Sequence, residues 1–380
     1  MAGKVPIKKK TGEEFKKALS WEEKLDLVQK FKETNNINKA EKKPQKWLVL
    51  PKAFEDATDV CGIPLNTVSC VKGHTNTGKS TFVLEVIKAC QHQQIMPVVF
   101  DLENAIRWDH AKEIGIELKE TIDEETGEVK ITDGRKLMYF DSATLYERYS
   151  CYDHSKSQYA AKPTRGTYVI EDVALAIRTL IEQQRTGELP VDFMFIIDSI
   201  GCSDCYKSAV SNASNNMWFA GALSISFQTI LNDLIPSTRN VMSEYNNSLF
   251  YVNKVWNSMT PTGLAVAKEK GGGSFTYATR FSIFLGGQGS SGLKKHSFAY
   301  KGVDYSYAST CKIRIDKNHI TAIEHSGEIA STRKGLCSIK DLEEYKKEFR
   351  TYLIKELQLK TGDNNIDEKD FKEHEEFVDE

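Results

Sequence analysis

Residues Gly73-His74-Thr75-Asn76-Thr77-Gly78-Lys79-Ser80 spell G-x-x-x-x-G-K-S. Two glycines let a backbone curl until its N–H groups point inward, the arrangement that holds phosphate oxygens. Lys79 adds a point charge for β- and γ-phosphates, and Ser80 a hydroxyl for Mg²⁺. With Thr81, these residues form the candidate nucleotide-binding set. The flanks suit the pattern. Thr67-Val68-Ser69-Cys70-Val71 is β-branched and reads as a buried strand. Residues 81–90 contain no Gly or Pro and read as a buried helix, whose positive N-terminal end would face the same phosphates.

The rest of the chain narrows the setting. Its 380 residues allow one large domain or a core with appendages. No apolar run approaches the ~18 residues of a membrane span. The lysine-rich N-terminus lacks the apolar stretch of a secretory signal, so the expectation is a cytoplasmic protein without a membrane partner. Of 8 cysteines, Cys202 and Cys205 form a lone C-x-x-C. No second pair or suitably spaced histidines complete a zinc site, so they read as small apolar side chains, with a redox pair as the alternative. A net charge of −2 hides sorting: the first 45 residues are lysine-rich and the last 20 acidic. Residues 361–380 are therefore expected to be disordered.

In chain order, residues 1–46 read as a basic arm and a helix that opens on a capping box, Ser20-Trp21-Glu22-Glu23. Trp21, Leu25 and Val28 share one face, for packing on its own core or docking on a neighbouring subunit. A polar linker covers 33–46. Residues 117–167 read as an insertion, with a turn at 124–128 and a strand near Leu137-Met138-Tyr139-Phe140. Helical periodicity follows over 168–188. Phe193-Met194-Phe195-Ile196-Ile197-Asp198 is an apolar run ending in an acid, the Walker B pattern: a buried parallel strand that carries Asp198 to the phosphate loop, where it can hold the Mg²⁺ hydration shell. Two more strands read at 248–253 and 280–285. Between them, residues 256–273 end in Lys268-Glu269-Lys270-Gly271-Gly272-Gly273 and read as a mobile loop, either a solvated connection or a binder of phosphate backbones.

Together these residues resemble the RecA recombinases and their phage relatives of the UvsX type, over residues 46–325. Gly62-Ile63-Pro64-Leu65 stands at the family's G-L-P-M spacing from the loop. Phe100-Asp101-Leu102-Glu103-Asn104-Ala105 resembles the strand that ends in the family's catalytic glutamate, and residues 110–116 run in register with its Y-A-R-K-L-G-V. Val252-Asn253-Lys254-Val255 resembles I-N-Q-I, and the triple glycine followed by Tyr277-Ala278-Thr279 resembles the end of its second DNA loop.

The resemblance implies an α/β fold: a phosphate-loop ATPase core at 47–325 with a mostly parallel sheet flanked by helices, and a helical region at 326–360. It implies ATP and Mg²⁺, with Glu103 as general base, Asn253 or Lys254 as γ-phosphate sensor, and His110 stacked on adenine. Arg107 stands where the family has an acidic adenine contact. Lys317-Asn318-His319 resembles K-N-K, so Lys317 would reach the ATP of an adjacent subunit. Two DNA loops are implied, at 202–216 with Lys207 and at 256–273 with Lys268, Lys270, Gly271 and Gly272. The implied function is a DNA-dependent ATPase that forms helical filaments on single-stranded DNA and exchanges strands with a homologous duplex. It would work in a bacterial or phage-infected cytoplasm, beside single-strand-binding and mediator proteins. A hexameric RecA-fold helicase and a non-hydrolysing filament or mediator protein are the alternatives.

Overall fold

The computed structural model describes residues 20–35, 42–122, 129–150, 168–211, 216–259, 265–269, 272–287 and 292–378. The expected basic arm at 1–18, residues 36–41 of the linker, the turn at 124–128 and residues 151–167 of the insertion lie outside them. The chain divides into two compact units, residues 1–43 with 240–242, and residues 44–239 with 243–380.

In the smaller unit, helix α1 (Trp21–Thr34) opens on the expected capping box. The Ser20 hydroxyl accepts from Glu23 N at 3.2 Å, and Glu23 Oε2 accepts from Ser20 N at 2.7 Å. No residue of α1 is buried.

The larger unit begins with β1 (Trp47–Val49), α2 (Lys52–Thr58), β2 (Gly62–Pro64), β3 (Val68–Gly73), α3 (Lys79–His92), β4 (Met96–Asp101) and α4 (Trp108–Ile114). A hairpin of β5 (Lys119–Ile122) and β6 (Val129–Thr132) leads to β7 (Met138–Asp141), α5 (Ser142–Tyr149), α6 (Ile170–Arg185) and β8 (Phe193–Asp198). Then come α7 (Tyr206–Ser211), α8 (Asn216–Thr229), β9 (Ser248–Met259), β10 (Ala265–Glu269), α9 (Gly272–Ala278) and β11 (Phe281–Leu285). The chain closes with β12 (Leu293–Tyr300), β13 (Val303–Asn318), β14 (Ser326–Thr332), β15 (Gly335–Cys337), α10 (Leu342–Thr361) and β16 (Lys372–Val378).

One sheet of 12 strands organises this unit. Its parallel half runs β11-β3-β9-β8-β4-β7. Strands β3, β4, β8 and β11 are buried almost throughout, and helices cover both faces. On one face α3 brings Phe82 against Phe250 of β9, and α2 brings Phe54 against Phe82. On the other, α6 and α8 bring Ile177 and Phe227 against Phe195 and Tyr251.

The expectation of a mostly parallel sheet is corrected by the other half. β13, β14 and β15 continue from β11 antiparallel, β12 and β16 pair antiparallel beside β13, and β10 returns along β9. The cause is visible in the residues. Along β13, buried Cys311, Ile313 and Ile315 alternate with more exposed Lys312, Arg314 and Asp316, the period of a half-buried antiparallel strand. The turn from β12 to β13 is Lys301-Gly302, both at positive φ (49° and 80°), which suits a two-residue hairpin.

The C-terminal expectations also change. Residues 326–360 hold β14 and β15 as well as a helix. The expected disordered tail is, over its described residues 361–378, ordered. Ile366 and Phe371 are buried with Phe298, Tyr307 and Phe349 under α10, and β16 extends the sheet along β12. The acidic residues that argued for disorder meet fixed lysines: Glu375 pairs with Lys294, and Glu373 with Lys346 at 2.6 Å. Among the described residues, no helix is long and apolar enough to cross a membrane.

Deleting residues 363–380 removes two buried apolar anchors and uncovers Phe298. We expect a loss of about 3–6 kcal/mol of stability, read as a lower urea midpoint. An unchanged midpoint would show that the tail does not pack.

Candidate nucleotide-binding site

Four neighbouring strands reach one edge of the sheet, and each delivers one element of the site. In spatial order these are β3 with Gly73, β9 with Lys254, β8 with Asp198, and β4 with Glu103 two residues beyond its end. Gly73 pairs with Lys254, Ile197 with Tyr251, and Asp101 with Asp198. Lys254 and Glu103 therefore stand at one height, on either side of the Asp198–Ser199 step.

The loop after β3 depends on its glycines. A Cβ at Gly73 would lie 2.3 Å from Leu285 O. Gly78 caps α3 at φ 88°, and a Cβ there would meet Ser331 Oγ of β14 at 2.1 Å. Thr77 Oγ1 donates to His74 O at 2.8 Å and closes the turn. Lys79 Nζ donates to the same carbonyl. Burial, then the charge of Lys254, pulls the pKa of Lys79 down to about 8.

Three carboxylates converge beside it. Asp101 is fully buried and holds the turn after β4: it accepts from Ala105 N at 3.0 Å, Ile106 N at 2.9 Å and Tyr139 Oη at 2.8 Å. That turn, with Asn104 at φ 49°, aims Glu103 into the cavity. Leu102 N donates to Asp198 O at 2.7 Å and ties the two strand ends together. Burial, then the charges of Glu103 and Asp101, pushes Asp198 up to about 7. Glu103 goes the other way. Burial would raise its pKa, but hydrogen bonds from Lys254 Nζ at 2.8 Å and Ser199 Oγ at 2.5 Å hold it below the usual carboxylate range.

Lys79, Ser80, Asp198, Glu103 and Lys254 line one cavity of about 390 Å³. Its far wall is Ser309 of β13 with Ser331 and Thr332 of β14. Those three residues also border a second cavity of about 440 Å³, lined by Arg107, His110, Glu113 and Arg333. Arg107 pairs with Asp109 at 2.7 Å, and Arg333 Nε donates to Glu113 at 3.1 Å.

Other expected residues lie elsewhere. Lys317 donates to Thr276 O at 3.0 Å. It pairs with Ser282, which faces Cys70, three residues before Gly73, so it sits about 10 Å along the strand from the phosphate loop. His319 Nδ1 lies 3.3 Å from Arg280. Lys207 is on a short helix, α7, with its ammonium 4.8 Å from the Trp218 ring, where an irregular polar loop was expected. The expected mobile loop at 256–273 is instead largely a ribbon: β9 runs past the sheet, β10 pairs back with Lys268 opposite Trp256, and α9 starts at Gly272. Pairing satisfies backbone groups that an open loop would leave to water. Lys270, Gly271 and residues 260–264 lie outside the described residues. Cys202 is exposed, Cys205 is buried, and both are free thiols.

Sequence reasoning missed Ser199, Asp101, Tyr139 and the serine wall of β13 and β14. The alternation along β13 was a readable signal; the approach of Ser331 to Gly78 had none.

Among the described residues, no group of three or more His, Cys, Asp or Glu could hold a metal ion. Mg²⁺ asks for less, because it keeps several waters and takes one or two protein oxygens beside phosphate. The Ser80 hydroxyl and Asp198 carboxylate fit that demand. Asp198 and Lys79, both shifted toward neutrality, line one cavity, and a cation bound together with a polyphosphate would favour both charges. No family model matches the chain, and no curated protein matches it.

Folded Asp198 keeps its proton to about pH 7, whereas the unfolded carboxyl loses it near 3.8. The unfolded state then binds fewer protons across this window, so the group costs stability as pH rises through it and no more above. Urea unfolding should show Asp198→Asn gaining on the wild type from about pH 4 to 7, by a few kcal/mol in all. A difference that does not vary with pH would show an ordinary carboxylate.

Proposed function

We propose that the protein is an ATP-dependent DNA recombinase that forms filaments on single-stranded DNA and pairs it with a homologous duplex. One observation carries the reading: Lys79, Asp198 and Glu103 line a single cavity at the carboxyl edge of adjacent parallel strands. The segments expected to meet DNA, residues 202–216 and 256–273, begin just beyond the Asp198 and Lys254 positions at that same edge. The parallel half of the sheet likewise supports a RecA-type core.

Bound ATP with Mg²⁺ supplies the transferable phosphoryl group. The loop amides and Lys79 orient its phosphates, while Ser80 and Asp198 hold the cation. Glu103, ionised and aimed by the Asp101 turn and Ser199, accepts the proton of the attacking water. His110 borders the second cavity, in reach of a base whose phosphates lie in the first. Lys317 does not line its own cavity and would serve a neighbouring copy's nucleotide. Nucleotide-dependent ordering of the two DNA-facing segments would couple turnover to DNA release.

A non-hydrolysing filament or mediator protein is the second reading, favoured by the Lys254–Glu103 pair, since a carboxylate held below its usual pKa is a weak base.

Imaging the protein with single-stranded DNA and a non-hydrolysable ATP analogue should show helical filaments; closed rings or no assembly would overturn the recombinase. Lys79→Ala should weaken nucleotide binding by about 100-fold or more, consistent with loss of a charge-assisted phosphate contact. Glu103→Gln should still bind ATP and DNA but hydrolyse roughly 100-fold slower or worse. Wild-type turnover in that variant would remove Glu103 as the base.

A further inference from the structure

Lys254 stands between two partners. Its ammonium holds Glu103 Oε2 at 2.8 Å, while Ser199 Oγ occupies Oε1 at 2.5 Å, so both oxygens of the base are engaged. Cys202 Sγ, at 3.7 Å, is a weaker partner of the same ammonium. Lys254 also lines the cavity that holds Lys79 and Ser80, and its backbone pairs directly with Gly73, where the phosphate loop begins. The side chain is 47% exposed, so it has room to swing.

We propose that Lys254 is exchanged between Glu103 and the terminal phosphate of a bound nucleoside triphosphate, so that the base is masked until the lysine is drawn away. This rests on the ATPase reading above. A terminal phosphate carries more charge than one carboxylate and competes for the ammonium in the same partly desolvated space. A diphosphate ends one group short and leaves the Lys254–Glu103 pair in place. Lys254 is thus a positioning residue: it acts on the reaction by holding or releasing Glu103.

The test is a binding cycle with Mg²⁺, using ADP and a non-hydrolysable ATP analogue as probes. Dissociation constants are measured by calorimetry for the wild type, Lys254→Met, Lys254→Arg, Glu103→Gln and the double variant Lys254→Met/Glu103→Gln. Lys254→Met should weaken the analogue roughly three- to tenfold, in the range of one partly exposed charged contact, and leave ADP unchanged. Lys254→Arg should restore most of the loss. Glu103→Gln should tighten the analogue by a similar factor, because the lysine no longer has to leave a carboxylate, and in the double variant that gain should vanish. Equal effects of Lys254→Met on ADP and analogue, or a Glu103→Gln gain that survives in the double variant, would overturn the exchange while leaving the ATPase reading intact. A wild type that binds neither nucleotide would overturn both.

Discussion

Crowding three carboxylates and two ammonium groups at one edge of a sheet, with Asp101, Asp198 and Lys79 buried, is the constraint on which the rest of this structure turns. Such groups are costly away from water unless each finds a partner. Asp101, Asp198 and Glu103 share one neighbourhood and meet it in three ways. Asp101 is consumed by backbone amides and a tyrosine hydroxyl, and serves as a rivet. Glu103 is balanced by a lysine and a serine. Asp198 has no such hydrogen-bond set and is driven toward its neutral form. A site that leaves one carboxylate uncompensated beside a buried lysine is poised for a ligand carrying both signs of charge, as a metal–polyphosphate does.

Parallel strands make this crowding possible. Each apolar run of the parallel half can be buried on both faces, so chemistry is confined to where the runs stop. Phe193 to Ile197 are wholly buried, and Asp198 is the first residue free to do anything else. The same logic applies to β4, where Asp101 ends the strand and Glu103 follows on a turn that Asp101 itself shapes.

Much of this half was legible in the residues. The glycine loop, the strand and helix around it, the run ending in Asp198 and the long helix of α6 all follow from local rules of period and spelling. The antiparallel half was harder. Its strands are short of apolar runs, and their burial depends on α10 and β16, which are distant in sequence. The tail misled because composition counts acids without seeing Lys294 and Lys346 waiting for them. Lys254 could be placed beside the site by register, but its choice of Glu103 as partner is a matter of three dimensions. Helical α7 and the β9–β10 ribbon went unread because polar, glycine-containing sequence carries little periodic signal.

Ser331 of β14 presses against Gly78 of the phosphate loop, and two residues later Arg333 reaches Glu113 and lies over the ring of Tyr352 on α10. A wall of the ligand cavity is thus continuous with the C-terminal packing. Whatever free energy a nucleotide gains from a firm β14, the C-terminal helix must regain as resistance to opening when that nucleotide is bound, because linkage runs equally in both directions.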